Sequence, residues 1–282
     1  MMDRSAIKAK LAALKKGNKQ KRDIWKPAPG NNVIRMLPLK GSPDFPFSEI
    51  LFHYRKGPKT LVSPLTEDVN AFDPIAAFGQ ELRDNSGNDK DMWIEGKQLE
   101  PTQRVYVPII VRGKENEGVK FWGFGKRIYE ELLTLLDDPD VGDVTDLESG
   151  RDITVEFLTK EQTGKSYPET KVRPKMAVTA ASSNSVDLTR WVEEQPDIRT
   201  LFPISSEEQL QAGLEAYLNP ETENESSSTQ TPSTTNGPTD DEGTDAPATA
   251  KEEQAPTATK TEGVSTTEGV SEAFDALFPK EG

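Results

Sequence analysis

RVYVPIIVRGKENEGVKFWGFGKRIYEELLTLL, from Arg104 to Leu136, reads as strand, polar turn, strand and helix, and the rest of the chain is read outward from it. Side chains alternate along an extended backbone, so Tyr106, Pro108 and Ile110 share one face of the first strand. Val105, Val107, Ile109 and Val111 share the other. In the second strand Lys120, Trp122 and Phe124 fall together, where a half-buried sheet would normally show plain polar residues. Arg112 and Lys114 in the turn, and Lys126 and Arg127 after the second strand, frame these aromatics with positive charge. Between Arg104 and Arg127 stand six basic residues against two acidic ones, Glu115 and Glu117. A single strand of nucleic acid offers flat base faces and a phosphate chain, and this face supplies partners for both. Aromatics on a strand also commonly fill a core, and the stretch alone leaves both readings open.

The whole chain has 282 residues of which 33% are hydrophobic, too few for all of it to fold, so one core with unstructured ends is expected. There is no Cys, which excludes disulfides and thiolate metal sites. No run of about 18 apolar residues could span a membrane, and MMDRSAIKAKLAALKKG lacks the apolar centre of a signal peptide. A soluble protein of the cell interior is the expectation. The net charge of -14 argues against nucleic acid until its distribution is considered. Residues 1–22 hold eight basic side chains and one acid, whereas residues 219–282 hold 14 acids and three lysines. Screening confines the field of each patch to roughly 8 Å at physiological salt, so segregation outweighs the total.

In chain order, residues 1–22 form a basic arm in which Ile7, Leu11 and Leu14 suit a short helix that orders against a partner. The core opens near Trp25, with strands expected at Val33–Leu37 and Glu49–Tyr54. Arg35, Arg55 and Lys56 add positive charge. His53 is the only histidine, and a lone His without cysteine makes no zinc site. Residues 60–100 read as irregular and acidic, with a short helix over Asp73–Leu82 and Trp93 covering the edge of the core. Ile153–Leu158 is a further strand. The stretch Lys160–Lys175 reads as a basic loop containing Tyr167, Lys171 and Arg173, and Met176–Ala180 closes the sheet. Leu188–Val192 and Glu207–Leu218 are helical, and residues 219–270 have the composition of disorder. Phe274, Leu277 and Phe278, at i, i+3 and i+4 beyond that tether, form a partner-docking motif.

Three stretches together resemble the single-stranded DNA-binding, helix-destabilising protein of T-even-type bacteriophages: NNVIRMLPLKG at Asn31–Gly41, the following FSEILFHY, and ENEGVKFWGFGKRIYEEL at Glu115–Leu132. The resemblance implies a mainly β fold with added helices, built on an OB-type β-barrel over residues 23–218 that binds single strands in a cationic, aromatic-lined cleft. It implies that the arm, through Arg4, Ser5, Lys8 and Lys10, grips the neighbouring molecule head to tail for cooperative binding. The disordered acidic tail, residues 219–282, would recruit phage replication and recombination proteins and compete with DNA. By position Trp122 falls on a cleft aromatic, Lys126 and Arg127 on paired cations, and Arg35 on the arginine of a V-I-R-x-L-P motif. An offset of one residue would swap the face of Tyr106. Where the family has Cys-Pro-x-Cys this chain has Asp73-Pro74-Ile75-Ala76, with His53 near the family's ligand histidine, so no structural zinc and no other cofactor is expected.

The expectation is therefore a non-enzymatic protein that coats single-stranded DNA in phage replication, recombination and repair, in the cytoplasm of the infected bacterium. Arg35, Arg55, Lys56, Arg112, Lys114, Lys120, Lys126, Arg127, Lys171 and Arg173 are the candidate phosphate contacts, and Tyr106, Trp122, Phe124, Tyr54 and Tyr167 the candidate stacking partners. A protein-protein adaptor working through its tail is the rival class. The residues carry no phosphate-cradling Gly-x-x-x-x-Gly-Lys, nucleophile elbow or paired metal-binding histidines, so an enzyme is disfavoured.

Overall fold

The computed structural model describes residues 23–54, 56 and 59–219. Arg4, Ser5, Lys8, Lys10, Arg55, Phe274, Leu277 and Phe278 lie outside the described residues. The strands are β1 (Ile24–Trp25), β2 (Gly30–Met36), β3 (Ser48–His53), β4 (Leu61–Val62), β5 (Thr102–Val111), β6 (Lys120–Phe124), β7 (Arg151–Leu158) and β8 (Glu169–Val178). The helices are α1 (Pro74–Asn85), α2 (Lys90–Gln98), α3 (Lys126–Asp137), α4 (Lys160–Thr163), α5 (Ser185–Glu193), α6 (Ile198–Leu201) and α7 (Glu207–Leu218). They fall into two compact units, one of residues 23–50 and Gln103–Pro203, the other of Leu51–Thr102 and 204–219.

The first unit is organised by β5, whose run of β-branched and aromatic residues suits a pleated, buried position. Strand order is β1-β6-β5-β2-β7-β8, antiparallel except that β1 runs parallel to β6. The order does not return to its start, yet Trp122 of β6 and Val172 of β8, near opposite ends of it, join one apolar cluster with Ile34, Val107 and Ile153. That requires the sheet to curl, as in a partly open OB-type barrel. Ile128 and Leu132, one turn apart on α3, fill the concave side. On the other side of the sheet Leu37, Ile110 and Val119 pack with Ala181 and with Trp191 of α5, and Tyr106 lies 4.8 Å from Phe202.

The second unit corrects the expectation that residues 60–100 are irregular. Asp73 caps α1, its Oδ1 accepting from Ile75 N at 3.0 Å and Ala76 N at 3.1 Å, and Asp89 caps α2 in the same way. Ile75, Phe78 and Leu82 of α1 pack with Met92 and Leu99 and with Leu210 and Leu214 of α7. A β-carbon built on Gly79 would stand 2.8 Å from Gly96 O, and one on Gly96 only 2.6 Å from Gly79 O. The two helices thus meet backbone to backbone. Beside them His53 Nε2 is 2.9 Å from Asp73 Oδ2, and Ser63 Oγ donates to the same oxygen, with all three side chains buried.

The expected loop at Lys160–Lys175 is instead α4, a turn through Gly164 at φ +67°, and the first seven residues of β8. Pairing with β7 from Leu158↔Glu169 to Arg151↔Val178 accounts for the difference, since ladder bonds override a polar composition.

Candidate nucleic-acid interface

The aromatic face expected to stack bases points inward. Register places Lys120 opposite Ile109, Trp122 opposite Val107 and Phe124 opposite Val105, so the aromatics share the face that α3 covers. Trp122 is 2% exposed and Phe124 4%; Tyr106, on the opposite face, is 5% exposed. None of the three presents a ring to a ligand, which corrects their assignment as stacking residues. Lys120, at the end of the same row, pairs with Glu117. Arg35 is fully buried and donates to Thr179 Oγ1 at 3.0 Å and to Thr179 O, with burial and then the nearby Arg112 lowering its pKa against the pull of Asp152. It braces the sheet and does not reach phosphate.

The first unit does contain an open cleft, of about 800 Å³, on a different part of its surface. Trp25, Lys26, Asn31, Lys114 and Lys175 line it, together with Arg112 and Asp152. The pairing of β1 with β6 sets Trp25 opposite Trp122, and the two rings meet edge to face at 5.8 Å. The half-buried indole of Trp25 is therefore held rigidly at the wall. Asn32 fixes the adjoining backbone: its Oδ1 accepts from Ala28 N at 3.1 Å, and its Nδ2 donates to Ala28 O at 2.7 Å and Gly30 O at 3.1 Å.

Charge pairing separates the lysines of the cleft from several others. Among the described residues no carboxylate makes an ion pair with Lys26, Lys114 or Lys175, whereas Lys97, Lys120, Lys126, Lys165 and Lys171 each have a glutamate partner. Glu115, next to Lys114, is drawn away because its carboxylate accepts from Gly113 N at 3.0 Å. The N–H groups of Glu115 itself and Gly113 hold that carboxyl below its ordinary range. Gly113 sits at φ +83°, the left-handed conformation that turns β5 toward β6 and carries Lys114 to the cleft. Unpaired ammonium groups on a concave wall focus positive potential and suit phosphate.

The remaining expected residues are distributed elsewhere. Lys171 and Arg173 alternate with Lys175 along the exposed face of β8, but carry partners in Glu169 and Glu156. Lys126 pairs with Glu130 at 3.6 Å, and Arg127 donates to Thr170 O at 2.8 Å. Tyr167 lies under Lys165 Nζ at 5.6 Å. In the second unit Tyr54 stacks on Phe52 at 5.4 Å. Lys56 there is only 6% exposed, over the Tyr217 ring at 3.7 Å, with its pKa lowered by burial, so its assignment as a phosphate contact is corrected too. Of the expected residues that are described, only Arg112 and Lys114 line the cleft. Trp25, Lys26, Asn31 and Lys175 complete it, and the sequence signal for the first two was the aromatic-cation pair of IWKP at Ile24–Pro27.

The model of one protein family, described as gp32 DNA binding protein like, matches residues 28–209. The chain belongs to this gp32-like family. Its match covers more than half of the sequence and includes Asn31, Arg112, Lys114, Asp152 and Lys175 of the cleft. Membership supports single-stranded DNA binding as the activity, in accord with the resemblance carried by Asn31–Gly41 and Glu115–Leu132. A search of curated proteins gives no match. Among the described residues no helix is long and apolar enough to cross a membrane.

Proposed function

We propose that this gp32-like chain binds single-stranded DNA in the cleft of its first unit, with phosphates on Lys26, Lys114 and Lys175 and a base against Trp25. The carrying observation is the set of three lysines that lack ion-pair partners among the described residues, beside a fixed, half-buried indole. Stacking on such a ring is worth about 1–3 kcal/mol per base and tolerates any sequence. Neutralising three phosphates gives log affinity against log salt a slope of about -2, from roughly -0.7 per contact on single strands. A fluorescence titration with oligo(dT) at several salt concentrations tests this, and a slope near zero would remove the electrostatic part.

The resemblance further supports a role in phage replication, recombination and repair without catalysis, within the infected bacterial cytoplasm. Residues 1–22 would mediate cooperative self-association on DNA, and residues 219–282 would recruit replication proteins and compete for the cleft, since a tether with 14 acids acts at high effective concentration. In place of structural zinc, the second unit would be held by the buried His53–Asp73–Ser63 contact. The donor set does not suit that metal: Asp73 is committed to His53, Ser63 and the helix cap, Ile75 and Ala76 offer no ligand atom, and the chain has no Cys.

A further inference from the structure

Asp152 is the one carboxylate among the described residues that line the cleft, and its two oxygens are used unequally. Oδ1 accepts from Arg112 Nε at 3.0 Å and Arg112 Nη2 at 2.8 Å, and Arg35 Nε stands 3.5 Å from the same atom. Among the described residues no side chain donates to Oδ2. Both guanidiniums are themselves anchored, Arg35 on Thr179 and Arg112 on Ala181 O at 2.5 Å. The carboxylate is thus clamped through one oxygen, and on this cleft-lining residue the other has no side-chain donor among the described residues.

A clamped anion is a poor part for a wall that only cradles phosphate, because it repels phosphate. It is a good part for a wall that meets a hydrogen-bond donor. Carboxylates accept from the exocyclic N4 amine of cytosine, whereas thymine presents the O4 acceptor at the corresponding edge. Facing Oδ2, that carbonyl would leave two acceptors opposed, and such a mismatch discriminates as effectively as a good contact.

We infer that Asp152 Oδ2 reads the exocyclic amine of a base seated in the cleft, so that the protein prefers amine-bearing bases, cytosine above all, to thymine. This rests on the cleft being the DNA site. Anisotropy titrations of the full chain at mildly alkaline pH should use short oligo(dC), oligo(dT) and an oligo(dC) dimethylated at N4. The wild-type protein should bind oligo(dC) about fivefold tighter than oligo(dT), with the dimethylated strand falling to the oligo(dT) level. Asp152→Asn should bring the oligo(dC) to oligo(dT) ratio within about twofold while tightening both, because the repulsion of phosphate is lost. Equal wild-type affinity for oligo(dC) and its dimethylated form overturns the inference without any variant, and so does an unchanged ratio in Asp152→Asn. Lys114→Glu separates the two levels. If it leaves every strand bound as before, the cleft is not the site and both readings fall. If it weakens every strand and the base ratio is flat, only the reading of Asp152 falls.

Discussion

Trp25 meets Trp122 edge to face, with ring centroids 5.8 Å apart and planes at 80°. The inner ring is 2% exposed and the outer one is half-buried at the cleft wall, so the pair divides anchoring from contact. Trp25→Leu keeps an apolar group against Trp122 and is expected to weaken DNA binding by about 1–3 kcal/mol. It should also remove most of the DNA-induced quenching of intrinsic fluorescence. Trp122→Ala is expected to cost about 3–5 kcal/mol of folding stability, measured by denaturant unfolding. Full quenching retained in Trp25→Leu would take this residue out of the site.

Ion pairing separates two lysines that the sequence treats alike. Among the described residues Lys114 makes no ion pair, while Lys126 shares the i, i+4 pair with Glu130 on α3. Lys114→Ala should lower the magnitude of the salt slope by about 0.7 and weaken binding several-fold at low salt. Lys126→Ala should leave the slope within error, since its charge is already opposed. The check is a salt series on one short oligonucleotide, and equal effects of the two variants would contradict the assignment.

Alternation along β5 and β6 was legible in the sequence, but the identity of the inward face was not. Nothing local distinguishes the row Lys120, Trp122, Phe124 from a binding surface. The decision is made by its register against Ile109, Val107 and Val105 and by Ile128 and Leu132 of α3, contacts distant in sequence. A two-residue strand such as β1 gives no periodic signal, so the parallel pairing that delivers Trp25 to the cleft could not be foreseen. α2 was missed because its exposed face carries Trp93 and Ile94 while Gly96 is buried, which blurs the apolar period. Elements with strong local signals, α3, α7 and the Gly-containing turn at Glu115–Gly118, were readable directly.

The close crossing of α1 and α2 allows no side chain at its centre. With β-carbon positions 2.8 and 2.6 Å from opposing carbonyl oxygens, Gly79→Ala and Gly96→Ala each force the helices apart. A loss of about 1–3 kcal/mol is expected for either, against the gain in helix propensity that Ala brings at an uncrowded position. Denaturant unfolding of each variant measures it, and a stabilised Gly79→Ala would show that the helices can separate without cost.

Asp73 links the stability of the second unit to pH. Burial acts to raise its carboxyl, but the hydrogen bond and charge interaction with His53 and the bonds from Ser63 and Ala76 N–H together hold it below the ordinary value. A carboxyl with a depressed folded-state pKa takes up its proton more readily in the unfolded chain, where the value is about 3.9. Its contribution is therefore fully present above that value and is lost as pH falls through the lower, folded-state one. Asp73→Asn retains a competent helix cap, so it removes mainly the charge that His53 and Ser63 meet. The variant should be less stable than wild type by about 1–3 kcal/mol near neutral pH. That gap should start to narrow as pH drops below about 4, where the unfolded wild-type chain takes up its proton first, and close once pH passes the lower folded-state value and the folded carboxyl is neutral as well. Denaturant unfolding of both proteins across this range measures the gap at each pH, and a gap that stays constant down to about pH 2 would show that the buried carboxylate is not what stabilises the contact.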